Sequence, residues 1–501
     1  MKLILFLLLL LAMTVAYGQQ NMGIGGKPDN SAMLDVSSTS KGLLMPRMTT
    51  YQRRAINSPA SGLLVYDTDK GSLMFYDGAA WKALAFTDES KSEPQTRSAA
   101  EPNANENMGN RVAISGNYAI IGAEFYNASG LTAMGAAYIF NKTATGWKQV
   151  AKLVANDSAA RDYFGGSVAI SGDYAVVGAA NKEIGGNFAQ GKVYVYHRTG
   201  TGWLLDTTFT KPSPAPYDDY GWSVAVCAYN TGGPAIGVGS PYAGSSDLGD
   251  VTFYRKSGAT WSYVQTLAPT DLGTSDYYGS TIVMDTDYVA VAATSQDNAT
   301  YSYANAGAVY IYAFGGGVWN FQQKIQGATN SGQFGFSMSL YSSMLAVSAP
   351  WANTYSNTSA SVYIYTRSGT TWSLITSQFL YNFEVVPGAS SFTPTLSVAN
   401  TTFGISVSLY GNTLLVGAAG GTLYPNGGSS YYSERVGAVY VYKILPSGYL
   451  NKYNYITSDL PQIGNFFGAS VAVSQDNYII ASPKETVNEQ VSAGKVYFGN
   501  P

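Results

Sequence analysis

From about residue 108 onward, apolar and polar residues alternate with a period of two in short runs broken by tight turns. The best-preserved stretch is DYFGGSVAISGDYAVVGAA (162–180). SVAIS (167–171) reads as one strand, Ser171-Gly172-Asp173 as a turn, and YAVVGAA (174–180) as a second strand. After a variable loop, a third strand follows as GKVYVY (191–196), with its valines on one face and its tyrosines on the other. Equivalent third strands are GDVTFY (249–254), GAVYIY (307–312), ASVYIY (360–365) and GAVYVY (437–442). A fourth strand opens at an aromatic seven residues beyond the last aromatic of the third: Phe140 leads to Trp147, Tyr196 to Trp203, Tyr254 to Trp261, Tyr312 to Trp319, Tyr365 to Trp372 and Tyr442 to Tyr449. A constant offset predicts a constant hairpin, with the tryptophans as sheet-packing residues.

The unit repeats. Each copy begins at a bulky residue followed by glycine: Met108-Gly109, Phe164-Gly165, Tyr220-Gly221, Tyr278-Gly279, Phe334-Gly335, Phe403-Gly404 and Phe467-Gly468. The glycines recur at intervals of 56, 56, 58, 56, 69 and 64 residues. Four antiparallel strands in each of seven copies predict an all-β fold, a seven-bladed β-propeller over 108–501. The seven anchor glycines are structural in this reading, supplying positive φ or a close backbone approach where each blade begins.

The aromatic-glycine start and the later elements Gly122-Ala123, Gly178-Ala179, Gly239-Ser240-Pro241, Ser348-Ala349-Pro350 and Ser482-Pro483 resemble FG-GAP repeats over about 105–501. The resemblance implies an integrin-type propeller. That family often holds calcium in a DxDxDG loop between the first two strands. Here those turns are SGN, SGD, DTD, YSS, YGN and SQD, with a longer YNTGG in the third copy. They are too short and too poor in carboxylates for the oxygens calcium takes, so no metal site and no cofactor is expected. Asp285-Thr286-Asp287 comes nearest and reads as a turn.

The seventh copy stops after its third strand, GKVYFGNP. An unpaired edge is an association hazard. The segment FYDGAAW (75–81) mimics a third-to-fourth-strand hairpin, so a strand at roughly 81–87 is expected to complete the last blade. Residues 19–86 form a small N-terminal module. Met33–Ser38, Gly42–Thr50 and Gly62–Tyr66 resemble a segment found at the start of exported bacterial surface proteins and in phage tail-fibre-like proteins. Thr50 is expected to cap a short helix running to Ile56, and 87–107, rich in Ser, Glu, Pro and Asn, reads as a flexible linker. Residues 1–18 carry Lys2, an apolar run and Ala16-Tyr17-Gly18, the pattern of a secretory signal peptide. The mature protein is therefore expected outside the cell or at its surface, without a membrane span and without nucleic acid as partner.

Composition narrows the chemistry. The 501 residues include 40 Tyr and 55 Gly, but one His and one Cys, and the net charge is -3. Such a balance has no basic footprint for nucleic acid. Cys227 sits in an apolar run and reads as a buried hydrophobe. His197 has no partner Ser or Cys in a nucleophilic arrangement, and Gly23-Ile24-Gly25-Gly26-Lys27 lacks the spacing of a phosphate loop. No catalytic residue is expected. Asp162, Asp218, Asp219 and Asp276 precede the anchors, at positions where other copies carry Asn107, Gln333 and Asn465, which suits loop capping better than acid–base work.

The remaining candidate is surface. Loops between strands two and three, and those between blades, should emerge on one face, and both sets are long and rich in Tyr, Asn, Ser and Gly. Tyr126, Tyr242, Tyr301, Tyr303, Trp351, Tyr355, Tyr424 and Tyr431 are the expected contact residues, because such rings offer broad amphipathic area at low entropic cost. The expected function is non-catalytic recognition or adhesion toward an extracellular protein or glycan. The alternatives are a polysaccharide-acting propeller enzyme, for which two carboxylates about 5 to 10 Å apart are required, and a purely structural surface component.

Overall fold

Alternating β-branched and aromatic residues leave each run with two apolar faces, and such a strand must be covered on both sides. The computed structural model describes residues 22–24, 34–36, 43–70, 72–83, 95–200, 202–229, 232–352, 361–375, 402–420, 437–445, 450–458 and 464–501, and divides the chain into two units, Met1–Lys91 and Ser92–Pro501.

The second unit is a β-propeller. Its described residues form seven four-stranded antiparallel sheets in succession; six have their strands in sequence order, and the seventh takes its fourth strand from upstream of the first sheet. In the second sheet, Ser167–Ser171, Tyr174–Ala179, Lys192–Thr199 and Gly202–Phe209 pair in that order. Ser171 faces Tyr174, so the connecting turn is the two-residue Gly172-Asp173, with Gly172 at φ 54°. That left-handed turn matches the twist of a hairpin. The first strand of each sheet packs on the first strand of the next, and Val471–Val473 of the seventh packs on Val112–Ser115 of the first, which closes the ring. Serine hydroxyls staple these strands: Gly172 N donates to Ser115 Oγ, Ala228 N to Ser171 Oγ, and Val112 N to Ser470 Oγ at 3.0 Å across the closure.

The core lies between sheets. Phe164 is fully buried among Ile120, Ala137 and Ile139 of the first sheet and Tyr194 and Tyr196 of its own. Other anchor rings sit edge-on to third-strand tyrosines in the same way, Tyr278 on Tyr310 at 5.4 Å and Phe467 on Tyr497 at 5.0 Å, whereas Tyr220, whose third strand carries Thr252, donates its hydroxyl to Tyr254. Trp147, Trp203, Trp319 and Trp372 are buried in the sheets.

The strand that completes the seventh sheet is not 81–87. Trp81–Ala83 pairs with Ser72–Tyr76 inside the N-terminal unit, Trp81 facing Tyr76. The seventh sheet is completed by Gln95–Arg97, with Phe498 facing Gln95 and Val496 facing Arg97. These residues lie within the stretch expected to be a flexible linker. Gln95 explains the choice. Its side-chain oxygen accepts from Trp147 N of the first sheet at 3.0 Å, as Gln265 accepts from Trp319 N at 2.7 Å and Gln323 from Trp372 N at 2.8 Å. The closing strand thus carries the same inter-sheet clasp as two ordinary fourth strands.

In the N-terminal unit, Arg47–Met48, Leu64–Asp67, Ser72–Tyr76 and Trp81–Ala83 form one sheet, its first pair parallel. A short helix, Thr50–Arg54, is capped by Thr49 rather than Thr50, with Gln52 returning a bond to the cap. Thr50 instead donates its hydroxyl to Asp67, a fully buried carboxylate that also accepts Arg53 Nε at 2.8 Å. Among the described residues no helix is long and apolar enough to cross a membrane.

Candidate binding face

The loop between strands two and three of one sheet hydrogen-bonds the entry of the next. Arg161, Tyr163 and Phe164 donate their backbone N–H groups to Thr132, Ala133 and Met134. The same three rungs join Tyr217, Asp219 and Tyr220 to Phe188, Ala189 and Gln190, and Ser275, Tyr277 and Tyr278 to Ser246, Asp247 and Leu248. At the closure they join Asn105, Asn107 and Met108 to Val491, Ser492 and Ala493. Both sets of loops therefore emerge at one end of the strands, and the long loops clasp neighbouring sheets as well as facing solvent.

That ladder forces the residue just before each anchor into left-handed backbone. Asn107, Tyr163, Asp219, Tyr277, Gln333, Thr402 and Phe466 have φ between 45° and 56°. The residue before these is turned inward and mostly polar. Glu106, Asp162, Asp218 and Asp276 are buried, and each accepts from the backbone N–H three residues earlier, on Asn103, Ala159, Ala215 and Gly273. A second partner completes each cap: Tyr138 donates to Glu106, Lys182 to Asp162 and Gln296 to Asp276, while Lys211 pairs with Asp218 at 3.3 Å. Burial pushes Glu106 up to about 7 and raises Asp276.

Asp219 differs from these acids. It is only half-buried, and no hydrogen bond or ion pair engages its carboxylate among the described residues. Burial, with the Asp218 charge beside it, pushes its carboxyl up to about 7. Asp276, unlike Asp219, is committed to its loop cap through Gly273 N and Gln296.

The expected contact residues divide. Tyr301 is 63% exposed and stacks on Tyr303 at 5.7 Å. Trp351 is 41% exposed and stands edge-on to Phe336 at 4.5 Å. Tyr242 lies between Trp222 and Tyr277, at 5.6 and 5.1 Å. Tyr126 is buried instead, its hydroxyl accepting from Lys152 Nζ at 2.5 Å with the same ammonium over its ring. Its length of loop is part of the core. Tyr355, Tyr424 and Tyr431 lie outside the described residues, as do Tyr449 and residues 1–18.

Sequence reasoning centred on the long loops and overlooked the residues beside the anchors. Tyr163, Trp222, Tyr277, Phe336 and Phe466 all stand one residue before or two residues after an anchor, at the end of the strands where the long loops emerge. Phe125 meets Tyr163 across a sheet boundary at 5.5 Å, and Lys484 lies over Phe466 at 4.7 Å. The signal was present as an aromatic residue directly before or after the anchor pair in five of the seven copies.

Two family matches accord with this architecture. The phage tail like trimerisation region matches residues 23–100, and the FG-GAP repeat matches residues 95–140, 147–196 and 261–312. Among solved structures, the chain is similar to Saccharomyces cerevisiae Sqt1, with 10% identity over 82% of this chain and 99% of that one. The TM-score is 0.41. No curated protein matches the chain.

Proposed function

We propose that this chain, a propeller of FG-GAP repeats joined to a phage-tail-like trimerisation region, is an exported, non-catalytic recognition or adhesion protein. Its partner is an extracellular protein or glycan. The observation that carries the reading is the concentration of exposed aromatic side chains at the end of the strands where the inter-sheet loops emerge: Trp222, Tyr301 and Trp351 are each more than one-third exposed. Aromatic rings held on a rigid frame bind at low conformational cost. The trimerisation match supports an assembly of several copies, which multiplies weak contacts into avidity. FG-GAP repeats and the N-terminal secretory pattern support a place outside the cell.

The test is a glycan array and a pull-down from extracellular material with residues 19–501, repeated with Trp351→Ala and Tyr301→Ala. Both variants are expected to fold and to lose binding. A protein that retains no partner in either screen, while folded and oligomeric, is a structural surface component instead.

A further inference from the structure

Trp222, Tyr242 and Tyr277 come from three different segments: the start of the third sheet, its second loop, and the entry to the fourth sheet. Neighbouring rings are inclined at 78° and 59°, with centroids 5.6 and 5.1 Å apart. They present faces and edges in several directions and no single plane, an arrangement suited to a compact cation and poorly suited to a stacked sugar ring. Trp222 is 43% exposed.

Asp219 belongs to the same turn. Trp222 N donates to Asp219 O at 2.9 Å, and the Asp219 charge acts on the Tyr242 phenol, as does that of Asp247. Lys211, eight residues before Asp219, is committed to Asp218 and to Asp250 at 2.9 Å. Among the described residues no cation stands over these three rings.

Elsewhere the chain supplies its own cation. In the seventh sheet Lys484 occupies the loop position that Tyr242 holds in the third, and it lies over Phe466, which occupies the position of Asp219. Arg198 lies over Tyr118 at 4.6 Å and Lys256 over Tyr174 at 5.2 Å. The third-sheet cluster has the rings and the counter-charge without the ammonium.

We infer that Trp222, Tyr242, Tyr277 and Asp219 form a site for the ammonium group of a lysine side chain on a partner protein. A lysine reaches it well, since its long apolar stem can lie along the rings while the charge meets Asp219. The inference rests on the recognition reading and names the chemistry of its ligand.

The experiment uses the full chain with the acetylated, amidated tripeptide Gly-Lys-Gly, its Nε-acetyl-lysine counterpart, and cellohexaose as a neutral oligosaccharide, each followed by saturation-transfer NMR. The lysine peptide is expected to bind, with Asp219→Asn and Nε-acetylation each weakening it about tenfold and Trp222→Ala doing the same. Affinity should rise from pH 5.5 to 8 as Asp219 ionises. The groups facing it are Asp218, held by Lys211, and Tyr242, with Asp247 and Tyr277 beyond that ring. Equal binding of the lysine and acetyl-lysine peptides, or no effect of Asp219→Asn, overturns the inference. Cellohexaose binding that Trp222→Ala abolishes and Asp219→Asn spares also overturns it, but leaves the recognition reading standing.

Discussion

Gly178 of the second sheet faces the carbonyl of Gly221, the anchor glycine of the third, so closely that a Cβ at 178 would stand 2.1 Å from that oxygen. Gly122 meets Gly165, Gly239 meets Gly279, and Gly417 meets Gly468 at the same 2.1 Å. The two glycines of the repeat are therefore opposite halves of one inter-sheet contact. Ser167 Oγ completes it by donating to Gly221 O at 2.7 Å.

Gly178→Ala should cost about 3 kcal/mol, the upper end for overpacking, because the obstructing atom is backbone and cannot swing aside. Gly200→Ala is the control. It has φ 60° but open space around it, so about 1 kcal/mol of left-handed strain is expected. Urea denaturation of both variants checks the ranking, and equal losses would show that the glycine pair is not a contact requirement.

The ring is closed by Gln95–Arg97. A chain beginning at residue 92 should therefore melt like the full-length propeller, whereas one beginning at 101 should melt lower and associate through the exposed edge. Gln95→Ala tests the clasp on Trp147 alone and should cost about 1 kcal/mol. Thermal unfolding with light scattering separates these outcomes, and a lower melting point for the chain from 92 would show that the N-terminal unit stabilises the ring.

Lys182 and Asp162 form a buried pair at 2.8 Å. Asp162→Ala removes the acceptor for Ala159 N and leaves the buried ammonium only the more distant Asp157 carboxylate, at 3.7 Å, a loss expected at about 3 kcal/mol. Asp162→Asn keeps the backbone cap and should lose less. Denaturation of the two variants at one pH reads the difference, and an Asp162→Ala variant as stable as the parent rejects the capping role.

The pH dependence of Asp219 has a definite sign. Its native value of about 7 lies above the ordinary carboxyl range near 4. Between these values the native state binds more protons than the unfolded state, so this group's contribution to stability falls as pH rises through the window. Asp219→Asn should remove that fall and melt higher than the parent at pH 8, since asparagine tolerates the φ of 50° at this position. Parallel melting curves from pH 4.5 to 8 check it. Identical slopes for parent and variant would remove Asp219 from the account.

Period-two alternation, the two-residue turns and the anchor glycines made the sheets legible, because each depends on residues within one hairpin. The fixed aromatic offset marked Trp147 and Trp319 correctly as packing residues for the same reason. Hairpin signals, however, carry no address. FYDGAAW looked like the missing end of a blade, yet its hairpin belongs to the N-terminal sheet. The three residues QTR show no readable alternation. Their place is set by the open edge of the seventh sheet and by the contact of Gln95 with Trp147, 52 residues away.

The candidate site divides along the same line. The sequence by itself determined that the chain repeats a strand–turn–strand unit and that its entry turns carry acids and aromatic residues. Tertiary structure decided which of these reach solvent. Asp218 and Asp219 are adjacent, but the left-handed turn sends one inward to Lys211 and leaves the other unpaired. Tyr126 and Tyr301 occupy comparable loops, yet one lies under Lys152 in the core and the other faces solvent. Trp222 and Tyr242 meet within the third sheet, and Tyr277 joins them only because the fourth sheet packs beside it. Local pattern encodes the conformation of each turn, whereas burial depends on what the neighbouring sheet brings.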